Sequence, residues 1–102
     1  MIRSFRTVFG EKAVLSDENW QHIIYKHPEV KRFGSRINEV LASPDLVKLS
    51  KRDPAVHLYY KYYHDIFKGK YLLVVINSEK KAVITAFVTD KLKVGELLWP
   101  KR

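Results

Sequence analysis

A chain of 102 residues with 46% hydrophobic and 13% aromatic content suffices for one compact domain and is too short for two ordinary ones. Nineteen Lys and Arg against eleven Asp and Glu leave a net charge of +8, which either favours a polyanionic partner such as nucleic acid or keeps the surface solvated. The absence of cysteine excludes a disulfide framework, a thiolate nucleophile and every thiolate metal site.

The excess charge is unevenly spread. Residues 1–47 carry seven basic and six acidic side chains, residues 48–70 six and two, and residues 71–102 six and three. An anion-binding surface is therefore expected from the second half. The first residues, Met1 to Phe9, are charged and alternating, without the apolar stretch of a signal peptide, and no segment approaches the length of a membrane span. The expectation is a cytoplasmic protein with no membrane partner.

Phe5 to Phe9 and Ala13 to Leu15 flank Gly10-Glu11-Lys12, which predicts a small hairpin or extended lead-in. Ser16 is a candidate N-cap, and Asp17 and Glu18 follow where a helix dipole favours negative charge. Trp20, Ile23, Ile24 and His27 then fall on one helix face, and Pro28 ends the helix. Past Phe33-Gly34, Ser35 can cap a second helix with Ile37, Val40 and Leu41 on one side, ending near Ser43-Pro44-Asp45.

Strand character dominates the rest: Leu46 to Leu49, Val56 to Tyr63, Tyr71 to Ile76, Val83 to Thr89 and a last piece at Val94 to Trp99. Lys68-Gly69-Lys70 and Asn77 to Lys81 read as the turns between consecutive antiparallel strands. The fold class expected is α+β, with N-terminal helices followed by an antiparallel sheet of about four strands, in one domain spanning residues 1–102. In the alternating strands, His57, Tyr59, Lys61 and Tyr63 oppose Leu58, Tyr60 and Tyr62, while Val83, Thr85, Phe87 and Thr89 oppose Ala82, Ile84, Ala86 and Val88. One face is then plain core, and the other presents Lys61, Thr85 and Thr89 among aromatic rings.

Cleaving a phosphodiester without a metal requires a base for the attacking hydroxyl, an acid for the leaving oxygen, and cations or donors on the phosphate. RNA carries its own nucleophile in the 2′-hydroxyl. His22, His27, Lys61, Thr85 and Thr89 are groups of the right kind. His27 closes the apolar helix face and points inward, as a catalytic imidazole or a hydrogen-bonded core residue; His22 lies on the outer side. Glu29 can orient an imidazole or stand in solvent. Lys61, between Tyr60 and Tyr62, suits a phosphate contact or a stem lying along its neighbours. Tyr59, Tyr63 and Phe87 could stack bases or simply pack. His22, His27 and Glu29 lack the His-x-x-x-His spacing of a helix-borne metal site, so no metal and no cofactor is expected.

Leu15-Ser16, Trp20-x-His22-Ile23, His27-Pro28-Glu29, Val40-Leu41-x-x-Pro44-Asp45, Tyr60-Lys61, Leu72 to Ile76, Thr85-Ala86-Phe87-x-Thr89-Asp90 and Gly95-Glu96-x-Leu98-Trp99 together form a pattern. Taken in order, it resembles the stand-alone and phage-associated branch of the barnase, EndoU, colicin and RelE-like superfamily of metal-independent ribonucleases. That resemblance implies helices before a four-stranded antiparallel sheet and RNA cleavage by a helix-borne histidine. It further implies His27 as the foremost acid or base, His22 as a second, Lys61 on the phosphate, and Thr85 or Thr89 as a positioning hydroxyl. It also implies a protein antitoxin as partner. The function expected is a metal-independent endoribonuclease acting on mRNA or tRNA and leaving a 2′,3′-cyclic phosphate. The alternatives are a non-catalytic RNA-binding domain and an interaction module for an acidic protein.

Overall fold

Alternation and turn chemistry act first at the chain's beginning, where the computed structural model, which describes residues 3–100, forms an antiparallel hairpin. Met1 and Ile2 of the lead-in, and Lys101 and Arg102 of the basic balance, lie outside the described residues. Strands β1 (Arg3–Arg6) and β2 (Lys12–Leu15) pair with Arg3 opposite Leu15 and Arg6 opposite Lys12. Their turn closes at Gly10, whose φ of 81° suits a residue without a Cβ and whose N–H donates to the Thr7 carbonyl.

Helix α1 (Asp17–Lys26) begins as its sequence dictates: the Ser16 hydroxyl accepts the Asn19 N–H at 3.1 Å, with Asp17 and Glu18 in the first turn. Pro28 cannot extend the α-helix, and the chain tightens into a 3-10 segment over Pro28–Arg36. This segment buries Val30 and Phe33 before α2 (Ile37–Ala42) buries Ile37, Val40 and Leu41. Ser35 falls inside the 3-10 segment and caps nothing; Arg36 holds the N-cap position of α2, without a side-chain bond.

Strands β3 (Leu46–Leu49), β4 (Val56–Tyr63), β5 (Lys70–Asn77) and β6 (Ala82–Thr89) follow as an antiparallel meander. The last strand, β7 (Leu97–Trp99), does not pair with β6. It crosses to the far side and lies antiparallel to β3, while β2 joins β6 in parallel through Val14 and Ala82. The order is β1-β2-β6-β5-β4-β3-β7.

This overturns the expected arrangement of N-terminal helices before a four-stranded antiparallel sheet. The described residues form a seven-stranded, mixed and curled sheet, with only two short α-helices inserted between β2 and β3. Strands β1, β2 and β7 are three or four residues long, so the sequence offers them only as a small hairpin or lead-in and a last piece, and the pairings that join them to β6 and β3 link distant parts of the chain. The curl brings the sheet's ends together: Phe9, in the β1–β2 turn, meets both Tyr59 and Trp99 edge to face, with centroids 6.4 and 6.1 Å apart.

The main core lies between the helices and one sheet face, where Tyr59, Leu72, Val74, Ile76 and Ala86 meet Ile23, Val30, Ile37, Val40 and Leu41. Each large aliphatic side chain buried there contributes about 1.5–3 kcal/mol. The second face carries Leu58, Tyr60, Leu73 and Val75. The chain between β6 and β7 crosses it: the Lys93 N–H donates to the Tyr60 hydroxyl at 3.0 Å, and Lys48 Nζ donates to the Lys93 carbonyl at 3.0 Å.

A β-bulge decides which side chains share these faces. Val75 pairs with Thr85 but Ile76 with Val83, so Ile84 is an extra residue, left 40% exposed. Val83, Ala86 and Val88 consequently face the main core, and Thr85, Phe87 and Thr89 the second face. Lys61 stands opposite Leu72 and therefore faces the helices with Tyr59 and Tyr63. The expectation that Lys61 shares a face with Thr85 and Thr89 is thus corrected. No helix among the described residues is long and apolar enough to cross a membrane.

Candidate nucleic-acid interface

His27 is placed by the end of α1. Its N–H still donates to the Ile23 carbonyl, but φ and ψ of −131° and 71° turn the chain out of the helix ahead of Pro28. The helix end lies beside β6, to which α1 is also tied by Asn19 Nδ2 donating to the Val83 carbonyl at 3.0 Å. The imidazole comes to rest on the ring of Phe87, with centroids 5.0 Å and planes 29° apart. Its Nδ1 lies 4.0 Å from Glu29 Oε2, and both side chains remain about one-third exposed.

Thr89 ends β6 in the same neighbourhood. It lines an open depression with Glu29, Phe67, Lys70, Val88 and Asp90. On its other side Thr89 joins Phe87 and Leu73 beneath Lys91 and Lys93, so one threonine borders both hollows. Lys70 Nζ sits 3.7 Å from Asp90 Oδ2 across this mouth. The result is an accessible imidazole on an aromatic platform, a nearby carboxylate, and lysines from β5 and the crossover.

The remaining sequence candidates are not brought together there. His22 is exposed on the solvent side of α1, lining a separate hollow with Glu18 and Tyr25. Lys61 Nζ donates to the Ser43 carbonyl at 2.8 Å, fastening β4 to the end of α2. Thr85 lies on the second face two residues before Phe87, next to the bulge. The Thr89 hydroxyl closes its own turn, accepting the Lys91 N–H at 3.1 Å.

Two of the three proposed stacking aromatics are packing residues. Tyr59 is fully buried in the main core, and burial pushes its phenol up to about 12. Tyr63 lies under the Arg36 guanidinium, 4.7 Å from its centroid, and its hydroxyl donates to Glu39. Burial, followed by that carboxylate, raises the Tyr63 phenol well above the ordinary tyrosine value. Phe87 alone of the three stands at the mouth, with its ring half-buried and packed against both cores.

Sequence reasoning passed over Lys70 and Phe67. Lys70 reads in the sequence as part of a turn, and Phe67 falls in no predicted element; their only signal is an aromatic beside the Lys-Gly-Lys run. Among the described residues, no three of His, Asp and Glu converge in a way that could hold a metal ion. Arg36 instead makes a bidentate pair with Asp65, at 3.0 and 2.6 Å, which ties the 3-10 segment to the β4–β5 turn. Comparison with protein-family models, curated proteins and solved structures finds no match to this chain.

Proposed function

We propose that this protein is a metal-independent endoribonuclease whose RNA substrate enters the mouth beside His27. The observation that carries the reading is the placement of His27: a partly exposed imidazole stacked on Phe87, with the Glu29 carboxylate 4.0 Å away and Lys70 and Thr89 bordering the adjoining depression. RNA supplies the nucleophile, so the chain must supply only proton transfer and charge. His27 takes the proton of the attacking 2′-hydroxyl or gives one to the leaving 5′-oxygen, and solvent water exchanges the other proton. Glu29, 4.0 Å from Nδ1, orients the imidazole. Lys70 offsets charge gathering on the phosphate, a role that the resemblance to the barnase, EndoU, colicin and RelE-like superfamily would have given to Lys61. Phe87 carries the imidazole. Action on mRNA or tRNA accords with a cytoplasmic protein, and an acidic antitoxin would restrain it by covering the same lysines.

A second reading, RNA binding without cleavage, is favoured by the solitary imidazole, because His22 is on the outer side of α1 and the Thr89 hydroxyl is engaged in its own turn. One experiment separates the two. End-labelled RNA is incubated with the protein in EDTA, and the product ends are tested for 2′,3′-cyclic phosphate. Cleavage that persists with chelator and falls by about 10²–10⁴ in His27→Ala supports the enzyme. Salt-sensitive binding with intact RNA selects the second reading. Cleavage lost with EDTA, or indifferent to His27→Ala, overturns the mechanism.

A further inference from the structure

The β4–β5 turn contradicts what folding alone would select. Phe67, Lys68 and Gly69 all have positive φ, at 44°, 65° and 111°. Glycine adopts this region freely, but a bulky aromatic does so only when its surroundings over-determine it. Phe67 is moreover 49% exposed, so the turn holds an unfavourable backbone in order to present apolar surface to water.

The surroundings fix that presentation. Ile66 is fully buried and anchors the turn, its N–H directed to the Tyr63 carbonyl and its own carbonyl accepting the Gly69 N–H at 2.8 Å. At Gly69 the φ of 111° disfavours any side chain, and a Cβ would also meet the Tyr62 hydroxyl. Phe33 meets the Phe67 ring at 83°, with centroids 6.1 Å apart, bracing it edge to face. The ring then borders the same mouth as Glu29, Lys70 and Thr89, with Lys68 exposed beside it.

We propose that Phe67 is a base-stacking residue of the RNA site, holding one unpaired base against its ring while Lys68 and Lys70 take the adjoining phosphates. The inference rests on the proposed RNA reading and deepens it, since it makes single-stranded RNA the substrate class. Phe87 is covered by the His27 imidazole, whereas Phe67 offers a half-exposed ring, two lysines just after it in sequence, and a turn anchored by Ile66. A base has a π-face whatever its identity, so this contact gives affinity with little sequence preference.

Binding is measured with a fluorescently labelled single-stranded 2′-O-methyl RNA, which lacks the free 2′-hydroxyl and stays intact, and in parallel with inorganic polyphosphate. Phe67→Gly relieves the backbone while removing the ring, so it is expected to raise Tm and weaken RNA binding about tenfold. Phe67→Ala should weaken it similarly, and Phe67→Trp should retain it. Polyphosphate affinity should be equal in all four proteins. If wild-type protein binds RNA and Phe67→Gly binds it equally well, the inference falls while the RNA reading stands. A parallel loss of polyphosphate binding also overturns it, because the turn would then be placing cations and not stacking a base. Absence of RNA binding by the wild type overturns both.

Discussion

The imidazole of His27 and the ring of Phe87 lie 29° from parallel, with centroids 5.0 Å apart. Phe87 packs against both cores, so it is the fixed partner, while His27 is positioned by a helix end that Pro28 terminates. Stacked aromatic pairs contribute about 0.5–1.5 kcal/mol beyond buried area. A double-mutant cycle of His27→Ala and Phe87→Leu in urea should return a coupling in that range. Coupling indistinguishable from zero would show that the stack does not hold the imidazole.

Arg36 grips Asp65 with two bonds while its guanidinium also covers Tyr63. The hydrogen bond from Arg36 holds the Asp65 carboxyl below its ordinary value of 3.8. A folded-state pKa below the unfolded one contributes stability that is complete above about pH 4 and is lost as pH falls through the folded value. Asp65→Asn should therefore lower stability at pH 7 and flatten the acid limb of an unfolding-against-pH curve. Asp65 is exposed to water, so the difference should be small and should shrink further in 1 M salt. A difference that salt leaves untouched would point to packing by the carboxylate and not to its charge.

Tyr59 carries its hydroxyl into the core with no hydrogen-bond partner among the described residues. Thr7 is close enough to draw the phenol's pKa part of the way back, but its hydroxyl already accepts the N–H groups of Phe9 and Glu11, at 3.3 Å each, which leaves it no lone pair for the Tyr59 O–H. A raised folded-state pKa contributes stability that is complete below the unfolded value of about 10 and is lost as pH rises toward about 12. Tyr59→Phe should be neutral or stabilising by up to about 1 kcal/mol at pH 7, and should blunt alkaline unfolding between those two values. Chemical denaturation at pH 7 and pH 11 measures both effects. A loss above 1 kcal/mol at pH 7 would mean that the hydroxyl is bonded after all.

The long elements were legible because their residues repeat a pattern. Ser16 capped α1 where expected, and the bounds of β4 could be read from Val56 to Tyr63. What escaped was long-range: β7 choosing β3 over its neighbour β6, and β2 reaching β6 through a single residue pair. The site suffered from one residue. Ile84 bulges out of β6, and period-two reasoning carried past it assigns Val83 and Thr85 to the same face, although the structure parts them. His27, Phe87 and Lys61 are all singled out by sequence, but the bulge puts Lys61 on the other face from Phe87, and Phe67 stays hidden because no pattern announces an aromatic in a left-handed turn.

Lys61 and Lys70 are the pair on which that difference can be measured. They lie on adjacent strands, but Lys61 donates to the Ser43 carbonyl at the end of α2, whereas Lys70 borders the mouth near Asp90. Losing a phosphate contact weakens binding for all sequences alike and reduces the slope of log affinity against log salt by about 1. Lys70→Ala should do this, with stability changed by less than about 0.5 kcal/mol, as for a surface side chain. Lys61→Met should do the converse, leaving RNA affinity and its salt slope intact while costing about 0.5–1 kcal/mol through the lost, solvent-exposed bond to Ser43. Fluorescence anisotropy over a salt series, with urea melts of the same proteins, reads both quantities. If Lys61→Met lowers the salt slope and Lys70→Ala does not, RNA lies beside the end of α2 and the mouth beside His27 is not its site.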